Sequence, residues 1–243
     1  MESHARSATG NHAATWMLES ATKAEMSTDD FVQAMQLRCA HFNKIYTTCS
    51  CGFSFREKHA IESLTHLLTC ADNSYSYLSR HDEIVTSLNR VLRAWGFNTF
   101  REPTMFAGES DDKRQDIAIF TTRLSPVLDV SVVTNTSESH CFKNDPASEA
   151  AAHKRTKHEA NVVSKGAYKF YPVILETSGN IHNDFDTLIR HLQQHLPIGS
   201  AKEFRRDMCF AASVALQRGN ARIIRHAYGR LESMQTFARH NFV

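Results

Sequence analysis

The hydrophobic positions of this chain follow a helical repeat in some stretches and a strand-like pattern in others. From Asp82 onward, apolar residues recur at the spacing of one helix face, and the pattern stops at Gly96, which predicts an amphipathic helix ending there. Residues 27–30 read Ser-Thr-Asp-Asp, a sequence typical of a helix N-cap. They predict a helix over about residues 31–39.

Two β-rich runs occupy the middle of the chain. Residues 116–120 and 127–133 are separated by residues 121–126, which predicts a β-hairpin. A helical pattern at 147–163 precedes an apolar run at 170–175, so we expect a helix followed by a strand, as in a crossover between parallel strands. The fold expected from these elements is α/β, with a mixed sheet flanked by helices.

The remaining segments indicate how the chain is divided. Residues 184–196 and 201–243 follow helical patterns, and cysteine and histidine concentrate between Cys49 and Cys70. We therefore predict a small N-terminal zinc module before the α/β core and a helical C-terminal tail after it. The predicted segments are a helical segment at 1–44, a zinc-knuckle module at 45–80, the core at 81–200 and a helical basic tail at 201–243.

The composition excludes several protein classes. Hydrophobic residues make up 42% and charged residues 22% of the 243 residues, which is ordinary for a globular protein. No apolar stretch reaches the roughly 20 residues that a membrane-spanning helix needs, and the polar beginning of the chain is unlike a signal peptide. We therefore expect an intracellular protein whose six cysteines are reduced thiols or metal ligands.

Charge is unevenly distributed, although the net charge is only +2. Between Glu102 and Glu149 there are nine acidic and four basic residues, whereas between Lys202 and Arg239 there are eight basic and three acidic residues. This separation suits an acidic metal site beside a basic surface that binds nucleic acid. A solvated basic helix would produce the same counts.

Cysteine and histidine form two closely spaced pairs in the second segment. Cys49 and Cys51 make one pair, and His66 and Cys70 make the other on a single helical turn. Zinc takes four such ligands in a tetrahedron, so the spacing predicts a structural zinc site. Buried thiols beside a hydrogen-bonded histidine are the alternative. Three neighbouring residues could replace one ligand: Cys39, His41 and His59.

Two aspartates lie on the predicted hairpin. Asp116 opens its first strand, and Asp129 lies inside the apolar second strand, with twelve residues between the two aspartates. A carboxylate in an apolar strand is unfavourable unless it lies beside a cation or accepts hydrogen bonds. Hydrolysis of a phosphodiester by Mg²⁺ or Mn²⁺ requires converging oxygen ligands and a nearby cation. The pair therefore predicts a catalytic metal site, against the alternative of an Asp129 held by backbone hydrogen bonds or at an exposed strand edge.

The order of these motifs resembles a known family. Over about residues 45–196 the chain resembles the restriction-like endonuclease region, with its upstream zinc knuckle, of site-specific non-LTR retrotransposon proteins. Weaker similarity extends to both sides. The motifs that carry the likeness, after the zinc module, are Arg80-His81-Asp82, Gly96, Glu102-Pro103, Arg114-Gln115-Asp116, Leu128-Asp129-Val130-Ser131-Val132 and the lysine-rich run from His153 to His158.

The resemblance implies both a fold and an activity. The fold would be the PD-(D/E)xK restriction-endonuclease-like core, and the activity would be metal-dependent nicking of target DNA that leaves a 3′-hydroxyl for a reverse transcriptase. Asp116 and Asp129 would bind catalytic Mg²⁺ or Mn²⁺, with Glu83 or Glu102 as a third carboxylate. The expected partners are DNA, with RNA and a reverse transcriptase domain or subunit as further candidates, and no membrane. The expected location is the nucleus.

Two positions depart from the family's pattern. Gln115 replaces a proline that shapes a turn, and Ser131 replaces the lysine expected two positions after the second acid. Members of the family are similar in supplying a lysine from the next helix. Lys154 and Lys157 are therefore the candidates, with Lys154 narrowly favoured and a solvated basic helix face as the alternative for each.

Several basic side chains are candidates for contacts to nucleic acid. An arginine stripe with helical spacing runs along the last helix, interrupted by Gly219-Asn220, and its alternative is a solvent-exposed face. His81 could equally be a packed residue at a helix start. The predicted nucleic-acid-binding residues are Arg80, His81, Arg114, Arg222 and Arg225.

A second function remains open from the sequence. A domesticated relative that retained the fold and the zinc site, but had lost its activity, would be a DNA- or protein-binding module with the same motifs. The two functions differ in whether divalent metal binds at the aspartates.

Overall fold

A four-stranded mixed sheet with helices on both faces forms the centre of the molecule. The computed structural model describes residues 10, 12–17, 26–41, 48–56, 58–106, 114–135 and 145–241. In chain order the elements are α1 (Thr28–Arg38), α2 (Ala60–Thr69), α3 (Ser74–Ala94), β1 (Asn98–Arg101), β2 (Ile117–Phe120), β3 (Ser125–Val133), α4 (Pro146–Val163), β4 (Tyr168–Glu176), α5 (Asp184–Gln193) and α6 (Ala201–Asn241).

The sheet has the strand order β1-β2-β3-β4. β1, β2 and β3 are antiparallel, with Ile117 opposite Leu128, whereas β3 and β4 are parallel and are joined through α4. The predicted hairpin and the predicted crossover are both confirmed. The mixed α/β class expected from the sequence is therefore confirmed as well.

Each face of the sheet has its own hydrophobic core. On one face, side chains from β3 and β4 such as Leu128 and Val173 pack against α3, α5 and α6. On the other face, α4 covers Val127, Phe170 and Ile174. Because β3 is covered on both sides, its first six residues are all buried, as expected for a strand with helices on both faces.

Helix α3 begins earlier than the periodicity predicted. It starts at Ser74 and not near Asp82, because the polar residues of its first two turns carry no apolar repeat. The boundary predicted between residues 80 and 81 therefore falls inside one continuous helix, which belongs to both the zinc module and the core. Strand β1 was not predicted, because its four residues lie at the sheet edge with only Thr99 buried.

Helix α6 is part of the core and does not extend as a tail. It contacts α1, α2, α3 and α5. Phe204 and Met208 of α6 belong to the core under the sheet, whereas Ile223 and Leu231 belong to the core of the zinc module. Arg222 and Arg225 of this helix keep 48% and 39% of their side chains exposed, outside the two cores.

Candidate functional site

The four predicted zinc ligands lie together. The Sγ atoms of Cys49 and Cys70 are 3.7 Å apart, and Sγ of Cys51 is 3.6 Å from Nε2 of His66. All four ligand atoms lie within 4.8 Å of one another. A tetrahedral zinc ion with ordinary bond lengths would place two sulfurs about 3.8 Å apart, and sulfur and nitrogen about 3.5–3.6 Å apart. This Cys/His cluster therefore has the geometry to hold a zinc ion.

Local structure explains how the two pairs converge. The backbone N–H of Cys49 donates to Phe53 and that of Gly52 to Cys49, which forms a tight turn around the first pair. His66 lies in the last turn of α2 and Cys70 ends that helix. The ring of Phe53 stacks on His66 with a centroid separation of 4.0 Å, which fixes the imidazole. The alternative ligand His59 caps the start of α2 instead.

Asp129 and Lys154 form the centre of the second predicted site. Asp129 lies on β3 with 4% of its surface exposed, on the face that α4 covers. Nζ of Lys154, on α4, lies 2.6 Å from Oδ2 of Asp129. Nε2 of His158, one helical turn further along α4, lies 3.8 Å from the same oxygen. Lys157 is exposed, so of the two candidate lysines Lys154 is the one shown in contact with Asp129.

Asp116 lies at the entrance to β2 and is held by two groups. Its Oδ2 accepts a hydrogen bond of 2.5 Å from the backbone N–H of Val130, the residue after Asp129. The same oxygen lies 3.2 Å from Nε2 of His81 on α3. The hydrogen bond to Val130 fixes the carboxyl group of Asp116 against the strand that carries Asp129.

The charges in this site influence one another. Burial raises the pKa of Asp129, the charge of Asp116 raises it further, and Lys154 opposes both. The hydrogen bond to Asp116 raises the pKa of His81 to about 9. A buried carboxylate beside a second carboxylate is stabilised by added positive charge. This carboxylate site, formed by Asp116, Asp129, Lys154 and His81, therefore suits a cation.

The side chain of Gln115 is buried and contacts a histidine beside the carboxylate site. Its side chain is fully buried, and Nε2 lies 3.0 Å from Nδ1 of His158. His158 in turn faces Asp129. Sequence reasoning treated Gln115 as a replacement for a turn-forming proline and did not identify His158. The local sequence around Gln115 does not indicate a contact with a histidine 43 positions away.

Neither candidate for a third carboxylate lies at this site. Glu83 points toward α6, where it pairs with Arg218 and, at 2.7 Å, with Arg222. Glu102 has an exposed side chain, and only its backbone N–H reaches Asp116, donating to the carbonyl at 3.0 Å. Glu83 is therefore corrected from a metal ligand to an ion-pair partner, because residues 81 and 83 face different sides of α3.

Arg80 was predicted as a nucleic-acid contact, and its side chain is directed into the protein. Its side chain is buried, and Nη1 donates to Oδ1 of Asn220 at 2.8 Å. Asn220 also donates to the carbonyl of Thr177. A Cβ on Gly219 would lie 2.5 Å from Cγ of Arg80. Gly219 and Asn220 interrupt the arginine pattern for this reason. Gly219 leaves room for the Arg80 side chain, and Asn220 binds its guanidinium group.

The two arginines predicted on α6 are ion-paired but partly exposed. Arg222 pairs with Glu83 and Arg225 with Asp30 of α1, each at 2.7 Å. Both line a cleft of about 240 Å³ between α3 and α6, together with His226 and the exposed ring of Tyr75. This cleft keeps Arg222 and Arg225 as candidate nucleic-acid contacts. Arg114 is exposed just before Asp116, and His81 contacts Asp116 directly.

Sequence reasoning missed a second basic surface. A cleft of about 510 Å³ between the β2–β3 turn, β4 and α5 is lined by nine residues, and no acidic side chain is among them. Burial lowers the pKa of His191 there, and the charges of His195 and Lys169 lower it further. Its basic residues come from three separate segments, so no local run of charge reveals it: Arg123, Lys169, Arg190, His191 and His195.

Comparisons with known proteins add no identification. Models of known protein families give no match to this chain. No curated protein matches it either. Within the described ranges, no helix combines the length and the apolar character needed to cross a membrane.

Proposed function

We propose that this chain is a metal-dependent DNA endonuclease whose site is built from Asp116, Asp129 and Lys154. The observation that carries the proposal is the buried carboxylate of Asp129, which lies 2.6 Å from the ammonium group of Lys154. The next residue of the same strand, Val130, donates its backbone N–H to Asp116. A hairpin with two acids and a lysine from the following helix is the arrangement that the family resemblance implies. We propose the PD-(D/E)xK type of core on the same grounds.

The donor set fits a hard divalent cation. Asp116 and Asp129 supply carboxylate oxygens, which Mg²⁺ and Mn²⁺ prefer. When bound there, Mg²⁺ or Mn²⁺ supplies Lewis-acid activation of the scissile phosphate and of water. The backbone carbonyl of Val130 is a further candidate ligand.

The protein's own residues supply charge and orientation. Lys154 places an ammonium group beside the carboxylates, where it can stabilise negative charge that develops on a phosphate. The N–H of Val130 orients Asp116, and His158, itself contacted by Gln115, limits where Asp129 can move. These contacts keep both carboxylates on the hairpin fixed before substrate arrives.

We infer that the Cys/His cluster binds a structural zinc ion in the same protein. The distances among its ligand atoms match a zinc tetrahedron. Its core is continuous with α6, since Leu64 and Leu67 of α2 pack with Ile223 and Ile224. Zinc would therefore hold the module against the helix that also supports the sheet.

One observation favours an alternative function, a DNA-binding module without activity. Glu83, one of the two candidates for a third carboxylate, is neutralised by Arg218 and Arg222. A site with two carboxylates binds a divalent ion less strongly than one with three. The basic clefts would still allow contact with DNA phosphates.

Nicking of supercoiled plasmid DNA by the full chain tests the proposal. We expect nicking with Mg²⁺ or Mn²⁺, at least about a 100-fold loss in Asp129→Asn, and no change in Asp29→Asn, which removes an exposed carboxylate on α1. If Asp129→Asn nicks DNA as fast as the wild type, the assignment of the site is wrong. DNA binding without nicking, and without Mn²⁺ binding in calorimetry, would establish the binding module instead.

A further inference from the structure

A third cluster of metal-ligating side chains lies apart from both sites described above. It combines His12 of the N-terminal segment, Asp186 of α5 and Cys209 of α6. Nε2 of His12 lies 3.0 Å from Oδ1 of Asp186 and 3.7 Å from Sγ of Cys209. Both neighbours therefore face the same nitrogen of one imidazole.

The distances in this cluster are close to those around a bound zinc ion. With ordinary bond lengths, a tetrahedral zinc would separate nitrogen from carboxylate oxygen by about 3.3–3.4 Å, and nitrogen from sulfur by about 3.5–3.6 Å. The observed 3.0 and 3.7 Å differ from these values by only a few tenths of an ångström. Small side-chain rotations would therefore bring the three atoms onto one ion.

The surroundings hold two of the three ligands in place. Nη2 of Arg205 lies 2.8 Å from Oδ1 of Asp186, and carboxylates that bind metals are commonly held by a further hydrogen bond of this kind. His12 has a φ of 62°, a conformation that is uncommon for a residue with a side chain. Ser213 donates to the carbonyl of His12, and Arg38 donates to that of Ala13, which together maintain the conformation.

The ligand chemistry identifies the class of ion. A thiol and an imidazole favour zinc or a similar transition metal over Mg²⁺. Cys209 is buried, whereas the side chains of His12 and Asp186 are 12% and 17% exposed, so an ion can enter from the solvent side. Three protein ligands would leave one position of a tetrahedron for water.

We propose that His12, Asp186 and Cys209 bind a second zinc ion, which ties the N-terminal segment to α5 and α6. Asp186 and Cys209 lie 174 and 197 residues after His12 in the chain, so the three ligands come from distant segments. An ion at this place would therefore stabilise the packing of residues 12–17 against the end of the core.

Zinc content of the full chain tests this second site. After incubation with zinc chloride and removal of excess metal, native mass spectrometry should find two zinc ions per wild-type chain. We expect one ion in Cys209→Ser and one in the double variant Cys49→Ser/Cys51→Ser. Cys39→Ser, which replaces an exposed cysteine outside both clusters, should keep two.

Cobalt substitution supplies an independent readout. In the double variant Cys49→Ser/Cys51→Ser, bound Co²⁺ should show a thiolate-to-cobalt charge-transfer band that disappears when Cys209→Ser is added. If Cys209→Ser does not fold by circular dichroism, His12→Ala decides the question, because His12 lies outside the helices of the core. Two results would overturn the proposal: unchanged zinc content in His12→Ala, or a single ion per wild-type chain that depends only on Cys49 and Cys51. Either would mean that the three residues form only a hydrogen-bonded network.

Discussion

The zinc module and the carboxylate site are both candidate metal sites, but they are assembled in different ways. In the zinc module, four ligands within 22 residues converge through one turn and one helix. In the carboxylate site, the four residues come from four separate parts of the chain. Its carboxylates are already paired with cationic groups. The first arrangement is suited to permanent binding that stabilises the fold. In the second, a divalent ion can replace the cationic side chains beside the carboxylates and then bind a substrate phosphate.

Removal of zinc should have the largest effect on stability. We expect Cys49→Ser, or chelation of the wild-type protein, to lower the free energy of unfolding by at least about 3 kcal/mol, because structural zinc contributes on the order of 10 kcal/mol in small domains. Thermal unfolding measured with and without added zinc would detect the loss. An unchanged midpoint after verified removal of zinc would mean that the module is held by α6 alone.

The choice between the two lysines tests the carboxylate site. We expect Lys154→Ala to slow plasmid nicking by about 100-fold, or about 2.7 kcal/mol in activation free energy, because it removes the cation beside Asp129. Lys157→Ala, on an exposed face of the same helix, should change the rate less than about twofold. Single-turnover nicking assays would measure both rates. The opposite order would move the catalytic cation to Lys157.

Gln115→Leu tests whether the buried contact to His158 supports Asp129. Loss of one partner leaves the buried Nδ1 of His158 without this contact, so we expect a decrease in stability of about 1–3 kcal/mol. Gln194→Leu, which changes an exposed glutamine after α5, should have almost no effect. Urea unfolding of both variants provides the comparison. Equal stability of the two would show that His158 is held by its other neighbours.

Two glycines of α6 test the junction between the regions. Gly219→Ala should destabilise the protein by about 1–2 kcal/mol, because the new Cβ would overlap Arg80. At Gly229 the new Cβ would meet no atom within 4 Å apart from the adjacent residues and the helix's own backbone, so Gly229→Ala should stabilise the helix by up to about 1 kcal/mol, since alanine has the higher helix propensity. Thermal unfolding of both variants measures the difference. Stabilisation by both would mean that Arg80 moves without cost.

The sequence by itself determined most of the local elements and the residues of the Cys/His cluster. The hairpin, the crossover helix and the pairing of Cys49 and Cys51 with His66 and Cys70 were predictable, because periodicity and ligand spacing act over a few residues. The importance of Asp129 was also visible, because a carboxylate in an apolar strand requires a partner.

Only the tertiary structure decided which partners those residues have. The direction in which α3 and α6 pack places Glu83 on Arg218 and Arg222 and buries Arg80 on Asn220, where the sequence predicted a metal ligand and a contact for nucleic acid. The position of α4 on β3 brings Lys154 into contact with Asp129. Packing likewise brings His12, Asp186 and Cys209 together from distant segments. The physical reason is that the pattern of one helix specifies which faces are apolar, whereas the rotation of one helix against another decides which polar groups meet.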